Sequence, residues 1–149
     1  MQNDERRRMM ETLKDVPYDE LTVGSTAKLS KVITDEDVRR FAEISMDRNP
    51  IHLDEEAAKA SIFGRRVAHG ILAAGLISAV IGTQLPGKDT IYLGQNLKFT
   101  APVYLGDEIT AQVTVVDKRD DKHIITLKTE IENQDGKIVV DGTATVLKK

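Results

Sequence analysis

Two short segments of the chain carry side chains whose types and spacing suit acid–base chemistry. In the first, Asp47 and His52 lie five residues apart, and Pro50 restricts the backbone between them. A carboxylate and an imidazole held together can divide the work of an acid and a base, or can share one water molecule. The segment is also consistent with a turn built on Asp47 or Asn49 beside a surface histidine, which is the commoner case for such residues taken alone.

The second segment is His69-Gly70, at the start of an apolar stretch that predicts a helix from Gly70 to Ile81. A helix N-terminus offers free backbone N–H groups and a positive dipole, and a glycine there lets a ligand approach the backbone closely. This arrangement suits a carbonyl oxygen on which negative charge develops. The alternative interpretation is that Gly70 only permits a tight helix entry, with His69 as its cap.

A metal centre is not expected among these residues. His52, Asp54 and His69 carry ligand atoms, but no pair has the one-turn helical spacing of a zinc site, and the chain has no cysteine. Asp47-x-Asn49 begins like a calcium-binding loop, but the residues that follow lack the required oxygen ligands and glycine. We therefore predict no metal.

Three other side chains each have two interpretations. Ser78 is one of few polar groups in the apolar helix, and its hydroxyl can bond a carbonyl one turn earlier or contact a ligand. Arg65 and Arg66 can meet phosphate groups, although two adjacent arginines in a loop are more often solvated.

These segments need a scaffold, and 149 residues are enough for one domain. Residues 1–12 predict a charged, solvated tail that contains three consecutive arginines, and residues 13–149 form the domain. A strand over residues 25–33 precedes a helix that Thr34 caps, and a short helix begins near Asp54.

The second half of the domain predicts four strands. Apolar residues alternate along each of them, and Asp135-Gly136 predicts a hairpin. The alternation implies antiparallel strands with one face buried, whereas the helix from Gly70 to Ile81 has no polar side and must be wrapped by other elements. We therefore predict an α+β domain in which an antiparallel five-strand sheet wraps around a central buried helix. The alternating residues of the first predicted strand of this half are Ile91, Leu93, Gln95, Leu97 and Phe99.

Composition excludes several classes of partner. A net charge of -3 and 4% aromatic residues argue against nucleic acid, which requires positive charge and stacking surfaces. The longest apolar run has about half the length of a membrane span, so no membrane association is expected. The N-terminus lacks the apolar stretch of a signal peptide, and the lack of cysteine fits a reducing compartment, so we predict a cytoplasmic protein.

Taken together, these segments resemble the hydratase signature of the MaoC-like hot-dog family. The resemblance extends from about Leu13 to Leu147 and is greatest to the stand-alone (R)-specific enoyl-CoA hydratases. Four stretches carry it: residues 41–54 (FAEISMDRNPIHLD), 63–70 (FGRRVAHG), 85–87 (LPG) and 91–99 (IYLGQNLKF). The hot-dog fold that it implies agrees with the wrapped helix. Met46 departs from the family pattern, which commonly has glycine or another small or polar residue there.

The resemblance implies an activity and a site. Water would add across a trans-2-enoyl-CoA, with the hydroxyl at C3 and the proton at C2, to give an (R)-3-hydroxyacyl-CoA. Asp47 and His52 would be the catalytic pair, with His52 as the base towards water and Asp47 positioning that water. The backbone N–H of Gly70 would receive the thioester oxygen. No cofactor is expected, because the conjugated carbonyl of the substrate supplies the activation. The supporting or substrate-binding residues would be Asn49, Ser78 and His69.

The same reasoning predicts partners and leaves alternatives open. The acyl-CoA is the expected small-molecule partner. A five-strand sheet around one helix leaves an edge and one side of the site uncovered, so we predict a homodimer, with further assembly left open. An acyl-CoA thioesterase and a non-catalytic acyl-thioester-binding subunit are the alternative functions, against which the intact Asp47 and His52 pair favours hydration. The length of the acyl chain is left open, and so is whether CoA or acyl-carrier protein carries the acyl group.

Overall fold

Five antiparallel strands form one sheet in the computed structural model, which describes residues 2–149. The strands are β1 (Thr26–Val32), β2 (Ile91–Phe99), β3 (Glu108–Arg119), β4 (Ile124–Glu132) and β5 (Ile138–Leu147). Across the sheet they are ordered β1-β3-β4-β5-β2, and each strand is antiparallel to its neighbours. The first two strands in the chain therefore form the two edges of the sheet.

The helices lie between β1 and β2, except for one at the N-terminus. They are α1 (Gln2–Thr12), α2 (Asp35–Ser45), α3 (Pro50–Leu53), α4 (Glu55–Lys59) and α5 (Gly70–Thr83). Helix α5 packs against β1, β3, β4 and β5, so the sheet curls around it. The predicted hot-dog fold, an α+β domain with a wrapped helix, is confirmed.

The core lies between α5 and the concave face of the sheet. The alternating residues of the two central strands are fully buried, as their period-two spacing predicts. They meet a row of buried residues on α5 that recurs at helical spacing. The strand residues are Ile109, Ala111, Val113 and Val115 on β3 and Ile125, Leu127, Thr129 and Ile131 on β4, and the helix residues are Ala73, Ile77, Val80 and Ile81.

Two apolar surfaces stay exposed where burial was predicted. On β2, Ile91, Leu93 and Phe99 are 54%, 51% and 52% exposed, because this strand is an edge and a bulge after Tyr92 interrupts its alternation. On α5, a stripe of Ile71, Gly75, Ser78 and Gly82 faces outward. The expectation that this helix has no exposed side is therefore wrong for the single chain, since no other element covers the stripe.

The N-terminal segment forms helix α1, all of whose residues are exposed. It joins the domain through the Thr12 carbonyl, which accepts a hydrogen bond of 3.0 Å from the Gln84 side chain. Among residues 2–149, none of the helices combines the length and the apolarity that spanning a membrane requires.

Candidate active site

The site begins where α2 ends. Thr34 and Asp37 form a reciprocal capping box that fixes the start of this helix, as the sequence predicts. At its end Met46 has a φ of 66°, the left-handed conformation in which glycine is the usual residue. The backbone thereby reverses direction and leads directly into Asp47. The position at which the chain departs from the family pattern is thus one where the backbone favours glycine.

Asp47, Asn49 and Pro50 build two consecutive turns. The backbone N–H of Asn49 donates to Oδ1 of Asp47 at 3.2 Å, and the Asn49 side chain accepts from the N–H of Ile51 at 3.4 Å. Asn49 is thereby the N-cap of α3, with Pro50 as the first helical residue, where its missing N–H costs nothing. The turn and the chemistry are compatible interpretations, because the turn uses one carboxylate oxygen of Asp47 and leaves Oδ2 available.

His52 lies on α3, a helical turn where the sequence analysis expected only a backbone restricted by Pro50. Its ring is buried, with 7% of the residue exposed, and Nδ1 lies 2.6 Å from the carbonyl oxygen of Val67. A carbonyl only accepts, so Nδ1 carries the proton and donates it. The other ring nitrogen, Nε2, therefore holds the lone pair that a general base needs.

His69 stacks on His52, with ring centroids 3.8 Å apart. Its Nε2 donates to the backbone carbonyl of Asp47 at 2.9 Å, and its Nδ1 is buried without a hydrogen-bond partner among the described residues. His69 is the N-cap residue of α5, as the alternative interpretation has it, but its side chain makes no capping hydrogen bond to this helix. Burial lowers the pKa of His69, and the neighbouring His52 lowers it further, against the opposing effect of Asp47.

Gly70 is the first residue of α5, so its N–H is one of the helix donors without an intrahelical partner. A Cβ at this position would lie 2.6 Å from the Phe99 ring, so the close approach of that ring requires glycine here. Beside Gly70 and His52 opens a cavity of about 420 Å³. Its lining is mainly apolar and includes Ile51, Phe63, Val67, Ile71, Phe99 and Pro102.

Three of the predicted residues converge. One ligand atom each of Asp47, His52 and His69 lies within 4.8 Å of the others, a spacing that one water molecule can bridge. The same set offers ligand atoms for a cation, but rings stacked at an interplanar angle of 29° keep their lone pairs in two nearly parallel planes, which disfavours a common tetrahedral centre. The arrangement suits a shared water better than a tetrahedral metal centre.

Ser78 is not brought to this cluster. It lies two turns along α5 from Gly70, on the outward stripe, and its hydroxyl makes no hydrogen bond to any part of the chain that the structure describes. Of its two interpretations, the bond to a carbonyl one turn earlier is therefore absent from residues 2–149. The exposed hydroxyl is open to a ligand or a second chain that reaches this stripe.

Two contributors to the site escaped the sequence interpretation. Arg66 is only 8% exposed and donates from Nε to the backbone carbonyl of His52 at 2.7 Å, so the expectation of a solvated arginine is wrong for this residue. Arg65 is exposed and lies over the Tyr104 ring, 3.7 Å from its centroid. The second missed contributor is the Val67 carbonyl that orients His52. Neither has a sequence signal, because both depend on a contact between segments.

Comparisons with known proteins agree with this geometry. An (R)-specific enoyl-CoA hydratase from Aeromonas caviae is 49% identical over 126 residues, which are 85% of this chain and 94% of that protein. Another from Rhodospirillum rubrum is 45% identical over 130 residues, 87% of this chain and 90% of that protein. The unliganded R-hydratase of Pseudomonas aeruginosa superposes with a TM-score of 0.87 at 46% identity, covering 91% and 87% of the two chains. The family model of the MaoC like domain matches residues 20–137, and the chain therefore belongs to the MaoC-like family.

Proposed function

We propose that this protein is an (R)-specific enoyl-CoA hydratase, which adds water to trans-2-enoyl-CoA and also runs in reverse. The observation that carries the proposal is the hydrogen bond from Nδ1 of His52 to the Val67 carbonyl. It leaves Nε2 as the unprotonated nitrogen of a ring that lines an apolar cavity and has one nitrogen within 4.8 Å of an Asp47 carboxylate oxygen. Relatives that share 45% and 49% of the sequence and are named for this reaction support the same conclusion.

In this mechanism one water lies between the Asp47 carboxylate and Nε2 of His52. His52 takes a proton from the water while its oxygen bonds to C3, and the electron pair of the C2=C3 double bond moves towards the thioester. The thioester oxygen accepts a hydrogen bond from the Gly70 N–H, which stabilises the developing enolate. His52 then returns the proton to C2 on the same face. The sum is the syn addition of one water molecule.

No step of this mechanism calls for a cofactor, because the thioester carbonyl conjugated to the double bond already makes C3 electrophilic. Asp47 orients the water through Oδ2, and Asn49 braces the carboxylate through the turn at Oδ1. His69 holds the Asp47 backbone in place through its carbonyl. Asn49 and His69 therefore have supporting roles, because Asn49 contacts the side chain of Asp47 and His69 contacts its backbone.

The active unit that we propose is a homodimer joined along β2. This edge exposes Ile91, Tyr92 and Leu93, whereas the β1 edge carries Lys28 and Lys31, residues that discourage edge pairing. The outward stripe of α5 is a further apolar surface that a second copy would cover. Asp47 itself is exposed in the single chain, and covering it would exclude bulk water from the reaction. A cytoplasmic location stays a prediction.

The test of the function is the hydration of crotonyl-CoA, followed by the loss of absorbance of the conjugated thioester. We expect absorbance to fall without release of free thiol, and chiral analysis to give (R)-3-hydroxybutyryl-CoA. Release of free thiol would instead indicate a thioesterase. Binding of acyl-CoA without either change would indicate a non-catalytic subunit.

A further inference from the structure

Arg66 carries a buried positive charge next to the site. Its side chain is 8% exposed, and its Nη2 donates to Oδ1 of Asp35 at 2.6 Å. A second carboxylate, that of Glu55, lies 3.8 Å from Nη1. The third contact is different in kind, because Nε donates to the backbone carbonyl of His52 at 2.7 Å. One guanidinium group thus joins the starts of α2 and α4 to the helical turn that carries His52.

The contact with His52 is one of two hydrogen bonds that hold this residue in place. Residue 66 holds the backbone of His52 through its side chain, and residue 67 holds the ring of His52 through its carbonyl at 2.6 Å. The N–H of Val67 also donates to the Ile51 carbonyl at 3.3 Å, which aligns the two segments. Backbone and ring together define where Nε2 points, so both contacts affect the direction of the base.

We propose that Arg66 is a positioning residue for His52, which holds the base in line with the water while making no contact with the substrate itself. The inference rests on the proposed function only in taking His52 as the base. A planar guanidinium with donors in fixed directions can reach Asp35 and the His52 carbonyl together, whereas a lysine ammonium is a point charge on a flexible stem. The geometry of the group, in addition to its charge, therefore matters.

Arg39 supplies a matched control. It pairs with the same Asp35 carboxylate, from Nε at 3.1 Å and 3.0 Å, but it makes no contact with His52 among residues 2–149. R39M removes one charge and one ion pair of Asp35, as R66M does. R66M also removes the ion pair with Glu55 and the contact with the His52 backbone, and Arg66 is the more buried of the two arginines.

The experiment compares R66K, R66M and R39M with the wild type in crotonyl-CoA hydration, with melting temperatures measured beside kcat and KM. A misplaced base lowers kcat by about 10- to 100-fold with little change in KM. At a temperature where each is folded, we expect both Arg66 variants to show this lower kcat with little change in KM. We expect R39M to keep the kcat of the wild type. Equal kcat in R66M and R39M would overturn the proposal.

A second readout does not depend on activity. The chain has three histidines, so ¹⁵N NMR of the imidazoles can resolve the tautomer of His52. We expect a single tautomer with the proton on Nδ1 in the wild type and in R39M, and a mixture in R66K. If R66K kept both the tautomer and the kcat of the wild type, the proposal would be overturned. Loss of folding in both Arg66 variants would also overturn it, because Arg66 would then be a structural residue. An inactive wild type with the expected tautomer change would instead refute the proposed function alone.

Discussion

At the scale of single residues, two stacked histidines have different surroundings and hence different roles. His69 is 2% exposed and donates to a backbone carbonyl, and burial lowers its pKa. The neighbouring His52 ring, with centroids 3.8 Å apart, lowers the pKa of His69 further. A neutral His69 suits its role as a hydrogen-bond donor to the Asp47 backbone, and the role of base is the one we propose for His52.

The lowered pKa of His69 predicts a loss of stability in acid. The folded protein disfavours protonated His69, whereas the unfolded chain takes up the proton near its ordinary pKa of 6.5. The free energy of unfolding should therefore fall as the pH drops below about 6.5, and the effect is absent above it. We expect H69Q, which keeps a donor for the Asp47 carbonyl, to lose less stability between about pH 7.5 and about pH 5.5 in urea unfolding. An identical loss in both proteins would contradict this.

At the scale of elements, the end of α2 and the start of α3 together position the two side chains that we propose as catalytic. The left-handed Met46 turns the chain, and the two turns at Asp47 and Asn49 lead into the single helical turn that carries His52. Met46 is 76% exposed, so its side chain gains little from burial to offset the strain of its backbone.

Met46 should therefore yield to glycine with a gain in stability. We expect M46G to raise the free energy of unfolding by about 1 kcal/mol, because glycine adopts this conformation without the clash at Cβ. The control is M46A, which removes the side chain but keeps the Cβ and should give no such gain. Urea unfolding measures both, and equal stability of M46G and M46A would argue against strain at this position.

The sequence predicted these elements unevenly, for physical reasons. Capping and periodicity predicted α2, alternation predicted the inner strands, and an uninterrupted apolar stretch predicted α5, since each signal is local. Helix α3 was not predicted because a proline usually ends a helix, although proline is also favoured as the first residue of one. The convergence of Asp47 with His52 followed from the family resemblance. The contacts of Arg66 and Val67 with His52 had no signal, since they join segments that only the fold brings together.

At the scale of the whole molecule, the single chain leaves apolar surfaces exposed that the proposed dimer would cover. The β2 edge and the outward stripe of α5 are both apolar and exposed, and the carboxylate of Asp47 is open to solvent. A two-fold axis that pairs the β2 edges would extend one sheet into the other.

Charge on the β2 edge should therefore separate the copies. We expect I91E to shift the protein towards a monomer in size-exclusion chromatography with light scattering, because each copy would then have to bury an unpaired carboxylate in the contact between the two edges. Hydratase activity should fall with the dimer fraction. The control is V32E on the β1 edge, where Val32 is 45% exposed, and this variant should stay dimeric and active. A wild-type protein that is monomeric and fully active would refute the dimer.

The central claim is that Asp47 and His52 together activate the water, and crotonyl-CoA hydration by D47N and H52Q tests it most directly. Both substitutions keep the approximate size of the side chain while removing the acid or the base. We expect each folded variant to lose at least about 100-fold in kcat, the usual range for a removed acid–base group. If either variant, folded as shown by its melting temperature, retained activity near that of the wild type, that residue would have no part in activating the water.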